Sequence, residues 1–142
     1  MRITTTMLAL AATALFATGC HDSNAPTASD MGRYGLQSLN GQPLPLKIID
    51  EPALTVTLTQ GALTLNANST FTQDVALAVA AEGYPNASQS VSCSGTYSRS
   101  GNDFTLTGTE TAECSAMTAT GVLDGRTFTV SDDQGETLVF RR

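Results

Sequence analysis

The chain of 142 residues contains no tryptophan, one histidine and one lysine, and thirteen acidic residues outnumber its seven basic ones. The lack of a basic patch argues against nucleic-acid binding and against electrostatic adhesion to anionic lipid. A single histidine, His21, provides no zinc cluster, and it would have to fold back onto the domain to serve a Ser-His-Asp or Cys-His arrangement. A Walker loop and a Gly-rich phosphate cradle are also missing. We therefore expect no enzyme, no cofactor and no metal site.

Clustered carboxylates do not change this expectation. The segment from Asp132 to Glu136 superficially resembles a calcium loop, but its spacing is far too short for an EF-hand. We interpret it as a hairpin turn with solvated charges.

The longest apolar run covers about residues 7–17 and follows Arg2. It is too short to cross a hydrocarbon core, which needs about 20 apolar residues. The run ends in Ala17-Thr18-Gly19-Cys20, and this arrangement resembles a bacterial lipoprotein signal peptide. The resemblance implies cleavage before Cys20, which then carries acyl chains such as palmitate on its sulfur and its new amino terminus. The alternative is an ordinary signal peptide cut near Ala17 or Gly19.

The resemblance also implies a location and a division of the chain. Residues 1–19 are the signal peptide, residues 20–31 are the lipidated cysteine and a flexible tether, and residues 32–142 form one domain. His21 follows the cysteine where inner-membrane lipoproteins tend to have Asp, which implies the outer membrane, with the domain facing the periplasm or the surface. The mature chain loses only Arg2 among its charged residues, so its formal charge is −7.

The domain carries apolar residues in alternation with threonine, and turn signals recur every 8–12 residues. We predict a first strand Arg33–Leu39, a hairpin at Asn40-Gly41 and a return strand Leu44–Ile49. A strand is favoured over Thr70–Ala80, although the Ala-rich part Asp74–Glu82 is compatible with a helical turn. The expected fold is all-β, a small antiparallel up-and-down β-barrel of about eight strands, because closure removes exposed sheet edges. A β-sandwich is the alternative.

Two cysteines remain once Cys20 is lipidated. In an oxidising compartment Cys93 and Cys114 most simply form one disulfide, and the chain-entropy model gives about 3 kcal/mol for its loop of about 22 residues. A redox pair or a metal site is the alternative, but the chain has no Cys-x-x-Cys. We expect Cys114 to open a strand that continues to Val122.

Two family resemblances concern the domain. Gly32-Arg33-Tyr34 on the first strand and Arg141 at the end of the last resemble the lipocalin and calycin barrels. That resemblance implies that Arg141 closes the barrel over the Tyr34 ring, a cation–π contact of about 0.5–1 kcal/mol. Cys93, Gly95-Thr96-Tyr97 and Cys114 resemble, more weakly, the order of residues in META-domain lipoproteins.

Two functions fit these expectations. The first is a structural or interaction protein of the envelope, anchored by its lipid, which binds a protein or a glycan. The alternative is a carrier that holds a small apolar or amphiphilic ligand inside the barrel. An eight-stranded barrel is just wide enough to be filled by side chains or to hold one small ligand, and we expect filling. The inward residues in question are Leu54, Val56, Leu58, Phe71, Leu77, Tyr97, Phe104 and Phe128.

Overall fold

The computed structural model describes residues 26–142, so the predicted signal peptide and Cys20 lie outside the described residues. Residues 26–142 contain no helix with the length and hydrophobicity that a membrane span requires. Most of the described residues belong to ten strands. They are β1 (Gly32–Leu39), β2 (Gln42–Pro43), β3 (Leu46–Glu51), β4 (Leu54–Leu65), β5 (Thr70–Ala81), β6 (Ala87–Ser100), β7 (Asp103–Gly108), β8 (Met117–Asp124), β9 (Thr127–Asp132) and β10 (Thr137–Arg141).

The strands form a closed antiparallel barrel. β4 to β10 pair consecutively, β10 pairs with β1, and β1 pairs back with β4, which closes eight strands into a ring. The two remaining strands, β2 and β3, extend the sheet beside β1 and β4. The predicted up-and-down β-barrel is confirmed, and the alternative of a β-sandwich is wrong.

The structure settles three local predictions. The Ala-rich segment is strand as far as Ala81, because β5 pairs with β4 up to that residue and with β6 up to Val79. The strand that returns beside β1 is β2, and not the predicted Leu44–Ile49. Pro45 has no N–H to donate to the ladder, and after it the chain leaves β1 and forms β3, which pairs with β4. The strand expected from Cys114 begins three residues later, at Met117.

The barrel is uneven in height. β4, β5 and β6 have 12 to 14 residues, whereas β7 to β10 have five to eight. The surplus projects beyond the ring on one side, together with β3. We call this sheet of β3 and residues 54–58, 77–81 and 87–91 the extension.

The two ends of the barrel differ in their packing. At the end where β1 begins, Tyr34, Phe104 and Phe128 are at most 2% exposed and stack edge to face or tilted, with ring centroids 5.0 to 6.0 Å apart. Tyr97 adds a fourth ring against Phe104. We call this the closed end. At the other end, the open end, the lumen is lined by partly exposed apolar side chains such as Leu77 and Leu138.

Candidate functional site

A short segment before β1 covers the closed end. Residues 26–31, which we call the strap, belong to the stretch predicted as a tether, and they make specific contacts with the barrel. The Tyr34 hydroxyl donates to the carbonyl of Asp30 (2.7 Å), and Arg142 donates to the carbonyl of Ser29 (2.6 Å). These bonds hold the strap across the aromatic cluster, whose rings Tyr34, Phe104 and Phe128 are almost completely buried.

An ion pair between Asp30 of the strap and Arg99 of β6 lies at the centre of the contact between the strap and the barrel. Their side chains are only 14% and 12% exposed. Arg99 lies on the lumen side of β6, with its guanidinium carbon 5.5 Å from the centre of the Phe104 ring. Burial opposes ionisation of Asp30, but hydrogen bonds from Thr27 and the charge of Arg99 outweigh it and lower the pKa of the Asp30 carboxyl. The pair therefore favours the docked strap as long as Asp30 is ionised.

The same environment acts on Tyr97. Burial, followed by the negative charge of Asp30, raises the pKa of the Tyr97 phenol. Its hydroxyl donates to the carbonyl of Asn66 at 2.7 Å. Tyr97 is thus a neutral structural donor that fixes the β4–β5 turn.

The predicted closure of the barrel by Tyr34 and Arg141 needs a correction. Tyr34 is fully buried as expected, but the guanidinium above its ring belongs to Arg142, with the carbon 5.7 Å from the ring centre. The reason is strand alternation: Phe140 faces the lumen, so Arg141 faces outward and is exposed. Arg142 lies beyond the end of β10, where its N–H bonds the carbonyl of Arg126 and its side chain turns back over Tyr34.

The open end contains a small cavity of about 180 Å³. Phe71, Met117 and Leu138 form part of its apolar wall, and Asp132 and Glu136 provide carboxylates at its rim. An engineered apolar cavity of about 150 Å³ holds one benzene molecule. The cavity therefore has room for one ring or a short aliphatic chain, less than the roughly 300–1,000 Å³ of typical ligand pockets.

A disulfide joins Cys93 to Cys114 across the edge of this opening, as predicted, with Cα atoms 5.8 Å apart. Cys93 lies on the lumen side of β6, opposite Gln73. Cys114 belongs to the loop 109–116 between β7 and β8 and is only 6% exposed. Thr109 also bonds the carbonyl of Ser94, so the loop is fixed at both its ends to β6.

The eight residues proposed to line a ligand cavity do not form one group. Tyr97, Phe104 and Phe128 fill the closed end, and Phe71 alone lines the cavity at the open end. The other four lie on the lumen side of the extension or near its base, and they are Leu54, Val56, Leu58 and Leu77. Period-2 alternation identified the lumen face, but it carries no information on depth along the barrel.

Two surface features were not predicted. The extension exposes Ile48 (46%), Ile49 (38%) and Tyr84 (76%), the last in the turn between β5 and β6. The only sequence signal was an apolar pair beside a lysine, which any half-buried strand would also show.

The second feature is a groove of about 620 Å³ lined by residues of β1, β4, β5 and β6. It lies where β1 leaves β4 and where small residues such as Gly61 and Ala62 form the floor. Asp74 crosses it, bonded to Arg33 (3.3 Å) and to the Ser92 hydroxyl (2.8 Å). These groups satisfy one another, so the groove presents a paired polar network and not a free charge.

Among residues 26–142 no three His, Cys, Asp or Glu side chains converge as a metal-binding group. A scan against protein-family models finds no match for the chain, and a search of curated proteins finds none either. Function is therefore inferred from the geometry of the barrel ends and from the sequence.

Proposed function

We propose that this protein is a lipid-anchored, non-enzymatic lipoprotein of the bacterial outer membrane that acts as an interaction module. The extension at the open end contacts a partner protein. One observation carries the proposal: of the four strongly exposed large apolar side chains in the described part of the chain, three lie on the extension or its tip. Scattered exposed apolar residues are normal, whereas this group shares one projecting element.

The charge of the extension indicates the chemistry of the partner. Its tip carries Asp50, Glu51 and Glu82, all exposed, and Lys47 is paired with Asp50 at 3.0 Å. Tyrosine is enriched at protein interfaces, whose core is apolar and poor in charged residues and whose rim is polar. The partner should therefore present an apolar patch flanked by basic residues.

Photo-crosslinking in cells tests the interaction. A photoreactive amino acid is placed at Tyr84 or Ile48. Val122 is the matched control for Ile48, because its exposure of 48% is close to the 46% of Ile48 and it lies away from the extension. We expect one discrete adduct from positions 84 and 48, none from 122, and loss of the adduct when Ile49→Glu is added. Equal labelling from all three positions would contradict the proposal.

The anchor is tested separately. Mass spectrometry of the membrane-extracted protein should find a chain that begins at Cys20 and carries acyl groups, and Cys20→Ala should abolish both. An unacylated chain that begins elsewhere would refute the lipoprotein assignment without bearing on the partner.

A second candidate, a carrier of a small ligand, is favoured by the cavity at the open end. Its volume fits one ring or a short chain, and the carboxylates of Asp132 and Glu136 suit an amine on that ligand. Native mass spectrometry of the protein should then detect a stoichiometric extra mass, and Leu138→Trp, which fills the cavity, should remove it. If neither the wild type nor the Leu138→Trp variant carries an extra mass, the cavity is a packing gap and not a ligand site.

A further inference from the structure

The arginines of the domain are gathered at one end of the barrel. The described residues contain five arginines, and every one lies at the closed end, although they are spread over 110 positions of the sequence. They occupy the start of β1, the end of β6, the β8–β9 turn and the end of β10. They are Arg33, Arg99, Arg126, Arg141 and Arg142.

Four of these arginines face solvent. Arg99 is enclosed by the strap and paired with Asp30, but Arg126, Arg141 and Arg142 are exposed, and the Arg33 side chain is 66% exposed despite its pairing with Asp74. We call the four exposed arginines the arginine surface. The exposed carboxylates at this end are Asp103 and Asp124, and the half-exposed Asp74 is paired with Arg33. Together these three reduce the charge of the four arginines without reversing it.

The acidic side chains are concentrated at the other end. Eight of them lie in the extension and in the loops of the open end, where Lys47 is the only base. From Thr127 to Asp132 the strand β9 rises about 17 Å, roughly twice the Debye length of about 8 Å at physiological ionic strength. The two ends therefore interact with a charged surface almost independently.

The position of the anchor relates this charge pattern to a membrane. The strap lies against the arginine surface, and its first residue, Pro26, follows Cys20 by six positions. At about 3.5 Å per residue, the lipidated cysteine is at most about 21 Å from Pro26. On the proposed function, on which this inference rests, the closed end is thus the end held next to the bilayer.

We propose that the arginine surface docks on the phosphate groups of anionic phospholipids in the leaflet that holds the anchor. Arginine pairs with phosphate oxygens in a bidentate geometry, and a basic residue near an anionic bilayer strengthens binding about fivefold. The acidic open end is repelled by the same surface. The barrel therefore stands with its closed end on the membrane and its extension directed away from it, towards the partner.

Hydrogen exchange of the acylated full chain in vesicles tests the docking. Phosphatidylcholine vesicles with and without phosphatidylglycerol are compared, at low and high salt. We expect the amides of the closed-end turns, at residues 101–102 and 125–126, to exchange severalfold more slowly with phosphatidylglycerol at low salt, because the bilayer covers them. The amides of the open-end turn at residues 133–136 should exchange at the same rate with and without phosphatidylglycerol.

The variant Arg126→Gln/Arg141→Gln should lower the ratio of docked to undocked protein about 25-fold and restore the exchange seen in phosphatidylcholine. Lys47→Gln, which removes a base from the extension, is the matched control and should behave as the wild type. Slow exchange that persists in the double variant, or that is equal in both lipids, overturns the docking.

The mass of the same sample shows whether the chain is acylated. A failure of the lipid anchor can therefore be told apart from a failure of the docking. If no acyl group is present, flotation of the unacylated protein with each type of vesicle decides the question. Docking then stands only if the protein floats at low salt with phosphatidylglycerol alone and the double variant does not, and any other result overturns it.

Discussion

The ion pair between Asp30 and Arg99 should contribute measurably to stability, because it fixes the strap over the closed end. Replacing Asp30 by Asn removes the charge but keeps the shape, which leaves the Arg99 guanidinium, only 12% exposed, without its partner. Breaking a fully buried pair costs about 3–5 kcal/mol, and an exposed pair contributes about 0–1 kcal/mol. With both side chains largely but not fully buried, we expect a loss of about 2 kcal/mol, or about 8 °C in Tm.

Urea denaturation monitored by circular dichroism measures this loss, and Asp74→Asn is the control. Asp74 also pairs with an arginine, but both side chains are well exposed, at 66% for Arg33 and 43% for Asp74. We expect that control to lose less than about 1 kcal/mol. If Asp30→Asn loses no more than Asp74→Asn, the strap is not held by this pair and the reasoning is refuted.

The pH dependence gives the same prediction a second readout. The folded pKa of Asp30 is lowered, whereas its unfolded value is near the ordinary 3.9. The contribution of Asp30 is therefore fully present well above pH 4 and is lost as the pH falls towards the lowered folded pKa. The difference in unfolding free energy between wild type and Asp30→Asn should shrink over that range, and a constant difference would assign the loss to packing.

Three further variants test the rest of the barrel. Cys93→Ser with Cys114→Ser should lower the free energy of unfolding by about 3 kcal/mol, and a reductant should reproduce that loss in the wild type only. Gly95→Ala should cost more than about 3 kcal/mol, since the new methyl carbon would lie 2.1 Å from a backbone oxygen of β7, whereas the exposed Ser94→Ala should change stability little. Tyr97→Phe should cost about 1 kcal/mol by removal of its hydrogen bond, and a neutral result in thermal denaturation would mean that water replaces the phenol.

Much of the barrel was predictable, because its signals are local. Alternation of apolar residues and threonine identifies strands, and turn residues such as Asn40-Gly41 separate them, so the number of strands and their antiparallel order follow from neighbouring residues. The disulfide between Cys93 and Cys114 was also predicted correctly. The error at Arg141 came instead from the resemblance, which implied only an arginine near the end of the last strand. Strand alternation from the buried Phe140 assigns Arg141 to the outside.

The order of residues along the chain does not show how far along the barrel axis each side chain lies, or which distant residues it meets. Net charge says nothing about where the charges lie, and the acidic composition therefore argued against a basic surface. Folding nevertheless separates the arginines from most of the carboxylates by the height of the barrel. The depth of an inward residue depends on strand register and stagger, which is why Phe104 and Phe128 fill the closed end while Phe71 lines a cavity. The strap follows the same rule: the partner of Asp30 is 69 residues away, and only closure of the ring brings Arg99 beneath it.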